Sequence, residues 1–326
     1  MATLGIAFAG TFAASLEGRV RAHLTLPCDV RVSDEAGVVP LMPDVDVLVT
    51  MGFTREMGQA GKRLKLVQVP GAGLDRIDRS ALPPHASLAN VYGHEIGIAE
   101  YVLGAMLALT REFTRLDAAL RRGTWESQWA VGTARPEPWP ELAGRTLGIL
   151  GYGRIGQALA RRARAFDMNV LAIRRDTMHA DPHAVVRGPD ALADVLGRAD
   201  YLAITLPLSA ETRGLLGERE LAAMKPTAVV INVSRAEILD EDALYEALAA
   251  RKIAAAALDV WYRYPTAPGP ARPARRPFHE LPNVLMTPHV SGWTDGMMEA
   301  RAKVIAENVE RTARGEPPLN LIPPLA

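Results

Sequence analysis

Four stretches of this 326-residue sequence set polar residues directly behind apolar runs. They are Thr205-Leu206-Pro207-Leu208, with Thr212 close by; Asn232-Val233-Ser234-Arg235; Leu258-Asp259-Val260; and Thr287-Pro288-His289, followed by Ser291-Gly292-Trp293. In doubly wound sheets the ligand lies outside the carboxyl ends of the strands. Polar residues that follow apolar strands are therefore placed where chemistry happens. Taken alone, a single histidine after a proline is more often structural than catalytic.

A fifth stretch carries a glycine pattern, TLGILGYGRIG from Thr146 to Gly156. Leu147 to Leu150 reads as a buried strand, and a helix starts near Gln157. Gly151 allows the tight turn, Gly153 lets a pyrophosphate approach the backbone, and Gly156 lets helix and strand pack closely. The unpaired N–H groups and the dipole of the helix N-terminus favour phosphate. The order strand, glycines, helix points to a dinucleotide site; the bland alternative is a ligand-free Gly-rich turn. In such folds a carboxylate some 20 residues on binds the ribose hydroxyls. Here the next strand ends Ile173-Arg174-Arg175, and Asp176 comes after it. Two guanidinium forks suit a 2′-phosphate, which favours NADP over NAD; otherwise both arginines are a solvated strand end.

Other elements must position these stretches. Candidate strands are Leu4–Ala9, Val45–Thr50, Leu66–Val69 and Leu88–Asn90 before the glycine motif. After it come Asn169–Ile173, Tyr201–Thr205, Ala228–Asn232, Ala254–Asp259 and Val284–Met286. Strands alternating with helices imply parallel sheets with crossover helices. A long helix starts near Glu95 and runs past Thr110, with Ile98, Val102, Ala105 and Leu109 at helical spacing. Asp240 is a plausible N-cap, and a last helix runs from about Asp295 to Arg314. The expected fold is α/β: two doubly wound parallel-sheet domains with a cleft between them. The outer domain comprises 1–98 and 292–326, and the dinucleotide-binding domain 99–291. Residues 123–144, with Trp125, Trp129 and Trp139 and the breakers Pro136, Pro138 and Pro140, form a dimer arm in preference to an internal flap. The Pro- and Arg-rich stretch between Pro265 and Pro282 is an extended loop. Its Arg272, Arg275 and Arg276 either reach an acidic substrate or coenzyme phosphates, or are solvated.

Lys plus Arg equals Asp plus Glu, 37 each. That balance gives no support for nucleic acid or an anionic membrane as partner. Cys28 is the only cysteine, so no intrachain disulfide forms. The apolar run from Leu4 to Ala14 lacks a preceding Lys or Arg and is too short to span a bilayer. It reads as a first strand and turn, and the expected location is cytoplasmic.

The segments GYGRIG, TLPLSAET, INVSRAEILDEDAL, AALDV and NVLMTPHVSG, in this order and spacing, resemble the D-2-hydroxyacid dehydrogenase family along nearly the whole chain. The resemblance implies a flavodoxin-like substrate domain built from both termini, a central Rossmann coenzyme domain, and a homodimer. It implies hydride transfer between NAD(P)H and a 2-oxo acid or D-2-hydroxy acid. The family's catalytic arginine falls on Arg235, whose fork holds the acid and draws charge onto the carbonyl oxygen. Its acid/base falls on His289, because an imidazole titrates near neutrality. The loop Pro70-Gly71-Ala72-Gly73 matches the one that binds substrate carboxylate through backbone N–H groups, with Arg235 and His289 completing the substrate set. The coenzyme set is Gly151, Gly153, Arg154, Ile155, Gly156, Arg174, Arg175, Leu206, Pro207, Thr212, Val233, Ser234, Arg235, Asp259, His289 and Gly292. Asp259 is expected at the nicotinamide end. No metal is implied.

Two positions depart from the family. Most relatives carry a Glu before Pro five residues after the matched Asp, paired with the histidine; here Tyr264 stands there. A phenol can donate or accept but is uncharged at neutral pH, so His289 should titrate lower than in relatives. Glu280 and Glu237 are candidate substitute carboxylates. Formate dehydrogenases on the same fold have an uncharged amide at this position, which keeps formate or phosphite open as hydride donor. A coenzyme-sensing, corepressor-like binding protein is a further alternative. The second departure is His94-Glu95, which is either an extra polar contact to the substrate or helix N-terminal capping. Trp293 and Tyr264 are candidate aromatic walls of a substrate pocket, with Gly52 and Phe53 adding to it; core packing is as good a reading of Trp293.

Overall fold

The computed structural model describes residues 3–132, 137–178 and 180–325. In chain order these form β1 (Leu4–Ala9), α1 (Thr11–His23), β2 (Cys28–Ser33), β3 (Val47–Thr50), α2 (Arg55–Ala60), β4 (Leu66–Gln68), β5 (Ser87–Ala89), α3 (Glu95–Thr110) and α4 (Phe113–Arg121). Then follow β6 (Thr146–Leu150), α5 (Arg154–Arg164), β7 (Asn169–Ile173), β8 (Val185–Arg187), α6 (Leu192–Arg198), β9 (Tyr201–Ile204), α7 (Glu218–Ala222), β10 (Val229–Asn232), α8 (Glu241–Ala249), β11 (Ala255–Leu258), β12 (Val284–Met286) and α9 (Asp295–Arg314). The chain divides into two compact units, 1–94 with 293–326, and 95–292. No described helix is long and apolar enough to cross a membrane.

The first unit is a parallel sheet in the order β2-β1-β3-β4-β5, the flavodoxin-like winding. Alternate residues of β1 serve opposite faces, as the period-2 geometry of a strand requires. Ile6 and Phe8 pack with Leu16 and Val20 of α1 and Ile305 and Val309 of α9. Ala7 and Ala9 face Met42, Phe53 and Met57. Helix α9 starts at Thr294, whose side chain accepts the Met297 N–H at 3.2 Å, and stops at Gly315 with φ +72°. Buried Asn308 on α9 donates to Gln68 Oε1 at 2.7 Å and accepts the Leu319 N–H at 2.6 Å, tying the tail to β4.

The second unit is a parallel sheet in the order β12-β11-β10-β9-β6-β7-β8. The chain reverses its direction of winding between β6 and β9, which is where such sheets leave a ligand crevice. Leu147 and Ile149 pack with α3 and α5 on one face. Leu150, Leu202, Ile204 and Val230 pack with Leu244 and Leu248 of α8 on the other. Asp240 caps α8 by accepting the Ala243 N–H at 2.8 Å, with Glu241 and Asp242 in the first turn. Both observations match the sequence reading.

Several boundaries depart from the sequence reading. The edge strands β2 and β8 carry no continuous apolar run, since each is half exposed. The long helix ends at Thr110, because Glu112 turns the chain with φ +51° and α4 follows. Helix α5 begins at Arg154 and not near Gln157, because Gly153 is its N-cap. Of the expected arm, Pro136 lies outside the described residues.

Candidate active site

The glycine turn between β6 and α5 has the three-part division of labour expected. Gly151 sits at φ +99°, and a Cβ there would meet Leu206 N at 2.7 Å. A Cβ on Gly156 would meet the Gly151 carbonyl at 2.6 Å, so helix and strand touch there. A Cβ on Gly153 would meet nothing within 4 Å. The middle glycine thus faces open space while the outer two face protein, which is the shape a pyrophosphate needs. Arg154 and Ile155 form the first turn of α5, and Arg154 Nη1 is 4.0 Å from Glu95 Oε1. That ion pair gives Glu95 a partner on α5.

Arg174 and Arg175 follow β7. The Arg174 N–H donates to the Arg187 carbonyl at 2.9 Å, and its guanidinium lies 3.8 Å from Asp176. Arg175 helps hold the Glu211 carboxyl below its usual range, after the Ser209 hydroxyl and the backbone. In the loop after β9, the Thr212 hydroxyl donates to the Pro207 carbonyl at 2.7 Å. The Thr205 hydroxyl reaches the Gly151 carbonyl at 2.6 Å, and the Ser234 hydroxyl donates to the Leu206 carbonyl. These bonds stitch the glycine turn, the loop at 205–212 and the loop at 233–235 into one edge.

Arg235 projects from that last loop. Buried Asn232 holds it from both sides: Nδ2 donates to the Arg235 carbonyl at 2.9 Å, and Oδ1 accepts the Ser234 N–H at 3.1 Å. Val233 is buried beneath. The Arg235 charge acts on both Tyr264 and His289. These three residues of the sequence reading therefore converge.

His289 stands at φ +59°, in the left-handed region that non-glycine residues rarely adopt. What holds it is Asp259. This carboxylate is fully buried, and Oδ1 accepts the Thr287 hydroxyl at 2.6 Å and the Val290 N–H at 2.8 Å, while Oδ2 accepts the Ser291 N–H at 2.8 Å. The Tyr101 hydroxyl on α3 bonds Thr287 Oγ1 at 2.6 Å, and Trp261 Nε1 donates to the Thr287 carbonyl at 2.8 Å. Asp259 lies beneath the histidine loop with both oxygens engaged. Thr287, Tyr101 and Asn232 escaped the sequence reading as positioning groups. A polar-tipped aromatic at Tyr101, three residues after Ile98 on the inward face of α3, was the available signal.

The Tyr264 hydroxyl lies 2.7 Å from His289 Nδ1. Burial pulls the His289 imidazole below its ordinary range, the Asp259 charge pushes it up, and the Arg235 charge adds to the lowering. His289 is exposed by area, so water offsets part of that burial. The carboxylate acting on the ring is thus Asp259. Of the two substitute candidates, Glu280 lies 3.6 Å from His279, and Glu237 acts on Tyr264.

Two further expectations change. Arg275 and Arg276 are held by α8: both backbone N–H groups donate to Glu241 Oε1, at 2.6 and 2.7 Å, and their guanidinium groups pair with Asp242 and Glu246. These contacts tie the loop to α8. Phe53 is core, not pocket wall. The His94 Nδ1 faces Arg301 Nη2 at 2.9 Å.

In the first unit, Pro70–Gly73 follow β4. The Gly71 carbonyl accepts the Val91 N–H at 3.2 Å and the Ala72 carbonyl accepts Asn90 Nδ2 at 2.9 Å. Both carbonyls are thereby turned inward. Trp293, half exposed, tilts against Phe12 with ring centroids 5.7 Å apart. Gly292 closes the second unit.

Residues 103–291 match the family model described as "D-isomer specific 2-hydroxyacid dehydrogenase, NAD binding domain". The chain belongs to this family. It is 34% identical over 288 residues to the D-3-phosphoglycerate dehydrogenase of Methanocaldococcus jannaschii, covering 86% of this chain and 52% of that one. The chain thus spans about half the length of that relative. It is also 34% identical over 279 residues to the hydroxypyruvate reductase of Thermotoga maritima, covering 84% and 86%. Among solved structures, a D-isomer specific 2-hydroxyacid dehydrogenase from Xanthobacter autotrophicus Py2 in complex with NADPH and MES superposes with a TM-score of 0.79 at 26% identity, covering 99% of each chain. The two parallel sheets of the present dehydrogenase-family chain are the family's fold.

Proposed function

We propose that this chain transfers a hydride between a nicotinamide coenzyme and a 2-oxo acid or D-2-hydroxy acid. The observation that carries the reading is the convergence of Arg235, His289 and Tyr264, with the Tyr264 hydroxyl 2.7 Å from His289 Nδ1. The glycine turn fits a dinucleotide, since Gly153 opens on free space at the N-terminus of α5. Gly151, Gly153, Arg154, Ile155 and Gly156 would hold the pyrophosphate. Leu206, Pro207, Thr212, Val233, Ser234 and Gly292 would line the remainder. Bound there, the coenzyme supplies or takes the hydride. Arg235 orients the carboxylate and draws charge onto the carbonyl oxygen. His289 gives that oxygen its proton in reduction and removes it in oxidation. The backbone of Pro70–Gly73 takes part in carboxylate binding.

We assign the unit formed by both termini to the substrate and the central unit to the coenzyme. NADP is the preferred coenzyme over NAD, supported by Arg174 and Arg175 after β7. A homodimer is supported by Trp125 and Trp129, 60% and 82% exposed on the segment 123–144. The reading is of a cytoplasmic enzyme with a small-molecule substrate.

A panel of 2-oxo acids with NADH and NADPH, followed by nicotinamide absorbance, tests this. Turnover with one of them, lost in Arg235→Ala and His289→Ala, is the expected result. Oxidation of formate or phosphite instead would move the chain to the other donors of the fold. Tight coenzyme binding without any turnover would favour a coenzyme sensor.

A further inference from the structure

The phenol at position 264 does more than fill the place of a carboxylate. Its hydroxyl oxygen meets His289 Nδ1 at 2.7 Å, with the rings tilted 53° and their centroids 5.8 Å apart. The Trp261 N–H points at the same oxygen from 3.5 Å. Tyr264 is 50% exposed, so its own hydrogen has water to donate to. A phenolic oxygen has one donor and two acceptor positions. Accepting from Nδ1–H and from Trp261 while donating to solvent uses all three.

We propose that Tyr264 is the positioning residue of His289: its oxygen accepts Nδ1–H, fixes the ring, and leaves Nε2 as the nitrogen that exchanges a proton with substrate, without lending the ring a negative charge. The proposal rests on the reading of the chain as a 2-hydroxyacid dehydrogenase. The opposite polarity, with Tyr264 donating to a bare Nδ1, would leave Nε2–H in the neutral ring and no base to take the substrate's proton.

The groups around His289 come from the segments after β10 and β11 and from α3. Asp259, after β11, favours the imidazolium, but its oxygens are engaged by Thr287, Val290 and Ser291. Arg235, after β10, opposes it. Tyr264 contributes a dipole and no charge. Tyr101 of α3 arrives only through Thr287, and Glu237 acts on Tyr264. The balance keeps the ring neutral at neutral pH, with Nε2 bare. In that state the substrate hydroxyl gives its proton to Nε2 while the electron pair of its C–H bond leaves as hydride to the oxidised coenzyme. A 2-oxo acid and an imidazolium remain. The site is therefore set to work as a base at neutral pH and as an acid on the acidic side.

The test reads the ring itself. In the ¹⁵N-labelled full chain without coenzyme, the His289 signals are identified by their loss in His289→Gln. Expected are Nδ1–H with bare Nε2 in the neutral ring and a midpoint below about 6.5. Tyr264→Phe should lose the Nδ1–H preference. Tyr264→Glu should raise the midpoint by about 1 pH unit or more, and the pH–rate limb of turnover should move with it. Nε2–H in the native neutral ring, an unchanged tautomer in Tyr264→Phe, or an unmoved midpoint in Tyr264→Glu each overturns the proposal. The tautomer and midpoint readings need no substrate, so they fail or succeed separately from the oxo-acid panel.

Discussion

Asp259 Oδ2 accepts the Ser291 N–H at 2.8 Å from a fully buried position. With Oδ1 on Val290 and Thr287, one carboxylate fixes the loop that carries His289 in its left-handed conformation. An amide in its place has one acceptor oxygen and would turn an NH2 group toward N–H donors. Asp259→Asn should cost about 1–3 kcal/mol of stability and lower kcat more than it raises KM. Denaturant unfolding alongside steady-state kinetics checks both.

The proposed role of Arg235 requires a planar fork rather than a point charge. Arg235→Lys should keep the fold, since Asn232 holds the loop by two hydrogen bonds that do not involve the guanidinium. Its kcat/KM should nevertheless fall by roughly 10²–10³. An unchanged kcat/KM would remove Arg235 from the chemistry.

The lowered His289 pKa, driven first by burial, sets a pH sign. Reduction needs the protonated ring, so it should fade as pH rises through a midpoint below about 6.5, and oxidation should rise over the same range. For stability, the folded state binds fewer protons than the unfolded chain between the two midpoints. Stability is then gained as pH rises through that window and lost below it. Paired pH–rate and pH–stability curves, native against His289→Ala, report this.

Two glycines two residues apart should behave oppositely. Gly151→Ala meets Leu206 N at 2.7 Å and requires φ +99°, so it should lose about 1–3 kcal/mol or more. Gly153→Ala meets nothing and has φ −88°. Its stability should stay within about 0.5 kcal/mol, while coenzyme binding weakens about tenfold, near 1.4 kcal/mol. Thermal unfolding and fluorescence titration with coenzyme separate the two.

With NADPH as the proposed coenzyme, Arg174→Ala and Arg175→Ala should each weaken NADPH binding relative to NADH by roughly tenfold, as expected for one charge-assisted phosphate contact. Equal losses with both coenzymes would make them strand-end residues.

Much of this was legible because apolar strands announce themselves. Leu4–Ala9 and Asn169–Ile173 are continuous or nearly continuous apolar runs, and the structure has them at the same residues. The edge strands at Cys28 and Val185 were not legible, since half-exposed strands share their composition with loops. In the site, the glycine turn could be read because Gly151 and Gly156 each answer a steric demand of their own neighbourhood, while Gly153 leaves its side open. The bonds of Asp259 to Thr287, Val290 and Ser291 are not legible, because sequence shows a residue's place at a strand end and not which way its oxygens turn. Arg275 and Arg276 were read as candidates for phosphate because their partners on α8 lie some thirty residues upstream.

The chain passes between its two units at residues 94/95 and again at 292/293. Tyr101, one and a half turns into α3, and Ser291, just before the second passage, meet through Thr287 and Asp259. Both strands of the connection are thus moored to a single knot of four residues, and the imidazole is mounted on that knot.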